Sequence, residues 1–268
     1  RGQVSLGGAD LSGQGPRQRP VGLVYQAFVN YPNLTVRQNI ASPLQAQKLP
    51  AADIDTTVAE LAAKLRIEDL LQRLPHELSG GQQQRVAIAR AMAKRAKVLL
   101  LDEPLVNLDF KLREALELEL RDLLLATDTV VIYTSSDPRD AFALADQVLL
   151  LSRGLKLQSG PPLQVYQHPD SFAAMELLAD PGLNRFERDG VLCAVRPEHV
   201  FVATGTLPEQ VHLRFDMLVT AYETNGNESF VHGRVDDRDW VLRCRGMQAL
   251  PPGSQVSVAA AKRDVLRF

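Results

Sequence analysis

Three short apolar runs punctuate the first part of the chain: Val21 to Tyr25, Val98 to Leu101 and Thr129 to Tyr133. Each is too short for a helix and has the unbroken character of a strand buried on both faces of a parallel sheet. Helical periodicity fills the intervals. After Ser79, Val86, Ala89 and Ala93 share a face with Ile88 and Met92 beside them, while Gln83, Gln84 and Arg85 are expected on the polar side. Thr35 to Leu74 is mainly helical. Asp53 is expected to cap a helix with Ile54, Val58, Leu61 and Leu65 inward, and a second, shorter helix carries Leu70 and Leu71. Phe110 to Leu125 places Leu112, Leu116, Leu120 and Leu123 inward, with Arg113, Glu117 and Arg121 as outward i,i+4 pairs worth about a few tenths of a kcal/mol each.

Gly2 to Gly15 is expected to form an edge strand and a glycine-rich loop, and Val148 to Ser152 with Leu155 to Ser159 a hairpin, before a last helical piece from Pro161. From Leu183 onward the pattern alternates. Phe215 to Glu223, Phe230 to Val235, Trp240 to Cys244 and Val256 to Ala260 are expected strands, with Asn225-Gly226-Asn227 as a turn. Asp180-Pro181-Gly182 is the natural linker, giving domains of residues 1–180 and 183–268.

Chemistry concentrates between Leu78 and Asp109. Ser79 is an N-cap residue, and Gly80 and Gly81 allow backbone to approach a ligand, so the helix start offers NH groups and a positive dipole end to an anion such as phosphate. Asp102 and Glu103 follow the apolar run, where open α/β sheets place their ligands. An aspartate there can hold Mg²⁺ through water, and a glutamate can orient or deprotonate an attacking water. Phe28, Tyr31, Pro32 and Leu34 are apolar in a segment that otherwise has loop character, which marks either a partner surface or core packing.

Composition narrows the field. At 268 residues the chain can bury one large or two moderate cores, and 30 basic against 32 acidic residues give a net charge of -2, with no global field to recruit nucleic acid. One tryptophan and a near-neutral C-terminal segment argue against a nucleic-acid groove there. No apolar stretch spans a bilayer, so the chain is expected to be soluble and cytosolic. Cys193 and Cys244 lack CxxC spacing and are expected as free thiols, and His76, His199, His212 and His232 lack ligand spacing.

Leu78-Ser79-Gly80-Gly81-Gln82 resembles the signature motif of the ATP-binding cassette family, Leu99 to Glu103 its Walker B strand, Asn107 to Asp109 its D-loop and Gln26 its Q-loop glutamine. Gln164 to Phe172 and Val195-Arg196-Pro197-Glu198-His199 are similar to segments of the maltose-type, sugar-importing ATPases. The resemblance implies an α/β nucleotide-binding domain of the P-loop NTPase type, with a helical subdomain at about residues 35–78. It also implies a C-terminal OB-like regulatory β-barrel. By this likeness ATP lies between two subunits docked head to tail. Ser79, Gly80, Gly81 and Gln82, with Asp109, would face the nucleotide of a second ATPase subunit, identical or different. Asp102 and Gln26 would serve Mg²⁺, and Glu103 and Gln26 the attacking water. Permease subunits would dock through the Gln26 to Thr35 region at the cytoplasmic face of the membrane, with a solute-binding protein engaged indirectly and no nucleic acid.

Two departures stand out. No GxxxxGK[ST] run occurs, so a segment on the order of 50 residues is expected ahead of Arg1. Ser136 stands where importers of this family carry a switch histidine, and a serine hydroxyl is shorter and always neutral. The leading expectation is the ATPase subunit of an importer for a sugar, polyol or glycerol-type solute. Its alternative is a non-catalytic or degenerate-site subunit acting as dimer partner or regulatory scaffold. A soluble ATPase acting on nucleic acid ranks behind both, because tandem cassettes and coiled-coil insertions are absent.

Overall fold

The structure is a computed structural model that describes residues 2–15, 18–106, 113, 117, 120–124, 129–203, 212–246 and 250–268. It divides into two compact units, Arg1–Leu144 and Ala145–Phe268.

The first unit opens on a small hairpin, β1 (Ser5–Leu6) and β2 (Ala9–Asp10), turned by Gly7 and Gly8 at φ 57° and 82°. Its centre is a parallel sheet of β3 (Val21–Val24), β4 (Val98–Asp102) and β5 (Val130–Thr134), in that order. Val24 aligns with Leu101 and Asp102 with Thr134, so the C-terminal ends of all three strands lie at one edge. Val98, Leu99 and Leu101 are buried, as their apolar run implies. β5 is different: Val130 and Ile132 are 61% and 53% exposed, so this strand presents an open face rather than two buried ones.

Three helices pack against the sheet and one another: α1 (Val36–Ala46), α2 (Ala51–Lys64) and α3 (Gly80–Ala93). α1 starts in a capping box between Thr35 and Gln38. Asp53 does not cap α2. The helix begins at Ala51 behind Pro50, and Asp53 lies in the first turn, where a carboxylate favours the positive dipole end. Ile54, Val58 and Leu61 face inward as expected. The short piece at Leu70 is a single 3₁₀ turn, Glu68–Leu70. Of the helix expected over 110–125, residues 113, 117 and 120–124 are helical, with Leu120 and Leu123 buried. α4 (Pro138–Leu144) closes the unit.

The second unit begins with the hairpin β6 (Val148–Ser152) and β7 (Leu155–Gly160), followed by α5 (Pro162–Gln167) and α6 (Phe172–Leu177). A hairpin of β8 (Asn184–Arg188) and β9 (Val191–Val195) pairs with β15 (Leu266–Arg267). A five-stranded antiparallel sheet joins β10 (Val200–Val202), β14 (Gln255–Ala261), β11 (His212–Thr224), β12 (Glu228–Val235) and β13 (Arg238–Arg245). The expected turn is present: Gly226 has φ 90°, and Asn225 Oδ1 accepts from the Asn227 and Glu228 NH groups at 3.0 and 2.8 Å. Trp240, 1% exposed, centres the core, with the Phe215 and Phe186 rings 4.6 and 6.0 Å away. Cys193 and Cys244 are free thiols.

Candidate active site

Four side chains converge where the parallel strands end. Asp102 closes β4, Thr134 closes β5, Glu103 follows Asp102, and Gln26 lies two residues beyond β3. Thr134 Oγ1 donates to Asp102 Oδ1 at 2.8 Å and accepts from the Glu103 NH at 3.1 Å. The Thr134 carbonyl accepts from the same NH at 3.2 Å. Gln26 Nε2 donates to Glu103 Oε2 at 3.4 Å. Glu103 has φ 41°, a left-handed conformation uncommon for a residue with a side chain. Such an outlier, at a carboxylate on the edge of a sheet, is the kind of strain that functional sites retain.

The chain from Gln26 to Thr35 is held from below. Asn39, 0% exposed, accepts from the Tyr31 NH at 2.8 Å and donates to the carbonyls of Tyr31, Leu34 and Thr35. Arg90 on α3 donates to the Val29 carbonyl and stacks 4.8 Å from the Tyr31 ring centroid. Burial holds its guanidinium pKa below the usual value. The apolar residues divide: Phe28 packs on the core, whereas Tyr25, Val29 and Tyr31 are 54%, 51% and 50% exposed.

Ser79 caps α3. Its Oγ accepts from the Gln82 NH at 3.4 Å, and Gln82 Oε1 accepts from the Ser79 NH at 3.0 Å. Gly80 is exposed with open space where a Cβ would stand, and Gly81 is buried. Ser79 and Gln82 thus cap each other, and the Ser79 carbonyl accepts from the Gln83 NH at 2.9 Å. Ser136 is exposed in the turn after β5. The turn is fixed by its neighbour Ser135, whose Oγ donates to Asp140 Oδ2 at 2.5 Å and accepts from the Asp137 NH at 2.9 Å. Arg113, expected on a solvated face, reaches Asp137 and the buried Asp140 at 2.9 and 2.7 Å. Tyr133 also donates to Asp140 at 3.1 Å, and burial together with that carboxylate raises its phenol pKa. Asp109 lies outside the described residues.

Two residues of this neighbourhood escaped the sequence reading. Thr134 has a detectable signal only once β4 and β5 are known to pair in register. Gln84, placed on the polar side of its helix, is 0% exposed and donates to the Pro104 carbonyl.

Comparison with known proteins fits this geometry. A family model described as ABC transporter matches residues 1–106, and a TOBE domain model matches residues 193–268. The sn-glycerol-3-phosphate import ATP-binding protein of Rhodopseudomonas palustris is 34% identical, over 100% of this chain and 81% of that protein. Its namesake in Cereibacter sphaeroides is 33% identical over 96% of this chain and 79% of that protein. The putrescine transport ATP-binding protein of Escherichia coli is 40% identical, over 71% of this chain and 50% of that protein. The chain thus belongs to the ABC transporter family and joins the α/β ATP-binding fold of that family to a C-terminal TOBE domain.

Proposed function

We propose that the chain is the ATP-hydrolysing subunit of a binding-protein-dependent importer, energising uptake of sn-glycerol 3-phosphate or a related glycerol-type solute. The observation that carries the proposal is the meeting of Gln26, Asp102, Glu103 and Thr134 at the ends of three parallel strands. The solute is assigned from the relatives, of which several bear the sn-glycerol-3-phosphate name.

In this reading Glu103 accepts a proton from, or orients, the attacking water, and Gln26 holds the Glu103 carboxylate in place. Asp102 and Gln26 are the residues that would hold Mg²⁺. The donor set fits: it offers one aspartate and one amide oxygen at an open edge, and no cluster of three or more metal-ligating side chains exists among the described residues. Mg²⁺ is commonly held by one or two carboxylates plus the phosphates it accompanies, rather than by an all-protein cage. When bound, Mg²⁺ would neutralise phosphate charge as it develops. Thr134 keeps Asp102 oriented toward that edge.

Ser79, Gly80, Gly81 and Gln82 form a polar helix start suited to a phosphate, and they and Asp109 are assigned to the nucleotide of a second ATPase subunit. Exposed Val29 and Tyr31 give the Gln26 to Thr35 region an apolar surface for permease subunits, with exposed Tyr25 just ahead of it. No helix among the described residues is long and apolar enough to cross a membrane, so the proposed location, the cytoplasmic face of the inner membrane, rests on those permeases. The nucleotide-binding part is assigned to residues 1–180 and the regulatory barrel to residues 183–268.

The test is ATP hydrolysis by the natural gene product assembled with its permease and binding protein. Stimulation by sn-glycerol 3-phosphate is the expected result. Stimulation by putrescine alone would move the solute assignment, and hydrolysis that ignores every solute would contradict the importer reading.

A further inference from the structure

Gln84 lies one turn inside α3, the helix that starts with Ser79 to Gln82, and its side chain is completely buried. Buried amides are kept where their hydrogen bonds are used. Here only half of the amide is used: Nε2 donates to the Pro104 carbonyl, and Oε1 is buried with no partner among the described residues. An apolar side chain of similar length would fill the space without an orphaned oxygen, so volume does not explain a glutamine at this position.

Pro104 follows Glu103 directly. A residue ahead of a proline is normally extended, yet Glu103 has φ 41°. A left-handed backbone at such a residue persists only where neighbours over-determine it. Two anchors flank it. On the N-terminal side, the Thr134 carbonyl and Oγ1 accept from the Glu103 NH at 3.2 and 3.1 Å. On the C-terminal side, Gln84 holds the Pro104 carbonyl, and the Val106 NH donates to the Glu103 carbonyl at 3.3 Å.

We propose that Gln84 is a positioning residue: by holding the Pro104 carbonyl it keeps Glu103 in the left-handed conformation that sets its carboxylate beside Gln26. The same helix that presents Ser79 to Gln82 toward a second subunit thereby fixes the backbone of this subunit's own Glu103. The proposal rests on the reading of Glu103 as the residue that acts on water.

Two variants in the assembled importer test it. Gln84→Met keeps the length and removes the donor, while Gln84→Glu restores a donor only when its carboxyl is protonated. Burial raises a carboxyl pKa, so acidification favours that donor. Gln84→Met should lower kcat about 10- to 100-fold, the scale of a misplaced reacting group, with KM for ATP and the thermal midpoint near wild type. Gln84→Glu should regain part of the loss, relative to wild type, as pH falls from about 8 to 6. If Gln84→Met fails to fold, the Gln84→Glu pH profile decides alone. Turnover of Gln84→Met within about twofold of wild type, or a Gln84→Glu profile parallel to wild type, overturns the proposal. A wild-type assembly that hydrolyses no ATP overturns the ATPase reading and this inference with it, and is recognisable because wild type and variants are then equally silent.

Discussion

Two buried amides, one in each unit, are treated in opposite ways. Asn184 is 1% exposed at the start of β8, and both ends of its amide are met: Nδ2 donates to the Val241 carbonyl at 2.8 Å, and Oδ1 accepts from the Val241 NH at 2.7 Å. It ties β8 to β13 beside Trp240. Gln84 is buried as deeply, yet its Oε1 has no partner among the described residues, and the backbone it supports is held left-handed at Glu103. The barrel amide completes a fold. The helix amide supports a conformation the chain would otherwise leave, which is expected where geometry serves chemistry and a few kcal/mol of stability are forgone.

Substitutions can break this contrast or sharpen it. Trp240→Ala, at the centre of the aromatic cluster, is expected to destabilise by about 3–5 kcal/mol in urea unfolding. Asn184→Ala removes the partners of the half-buried Val241 NH and carbonyl and is expected to cost about 1–3 kcal/mol by the same measurement. Glu103→Gly should do the reverse, raising stability by about 1 kcal/mol through release of the left-handed strain while ATP hydrolysis is lost. If Glu103→Gly instead destabilises as Asn184→Ala does, the strain argument fails. Arg37→Ala, which removes an exposed pair with Asp55, should change the unfolding free energy by no more than about 0.5 kcal/mol. Ser136→His should raise turnover in the assembled importer, because an imidazole reaches further than a hydroxyl and can donate to phosphate. Unchanged turnover would remove Ser136 from the site.

The α/β part with a C-terminal β-rich module was legible because Val98–Leu101 and the alternating segments after Leu183 carry strong periodic signals. The neighbouring Asp102 and Glu103 were legible as a pair on the same ground. What connects them was not. Gln26 meets Glu103 only because β3 adjoins β4, and Thr134 meets Asp102 only because β5 is in register with it; strand order and register are not properties of one local window. Gln84 is a different failure. It shares the i, i+4, i+7 stripe with the buried Ile88 and Ala91, so its period implies burial where its polarity implies exposure, and the period prevails. Val130 and Ile132 erred the other way, because an apolar run does not reveal whether both faces of a strand are covered.

Glu103 is the residue on which the proposed hydrolysis most directly depends. The decisive measurement is single-turnover ATP hydrolysis by the assembled importer carrying Glu103→Gln, with bound ATP measured in the same samples. The account predicts that ATP is still bound and that the rate falls about 10²- to 10⁴-fold, the range for removal of a positioned general base. A variant that binds ATP and hydrolyses it at the wild-type rate would contradict it.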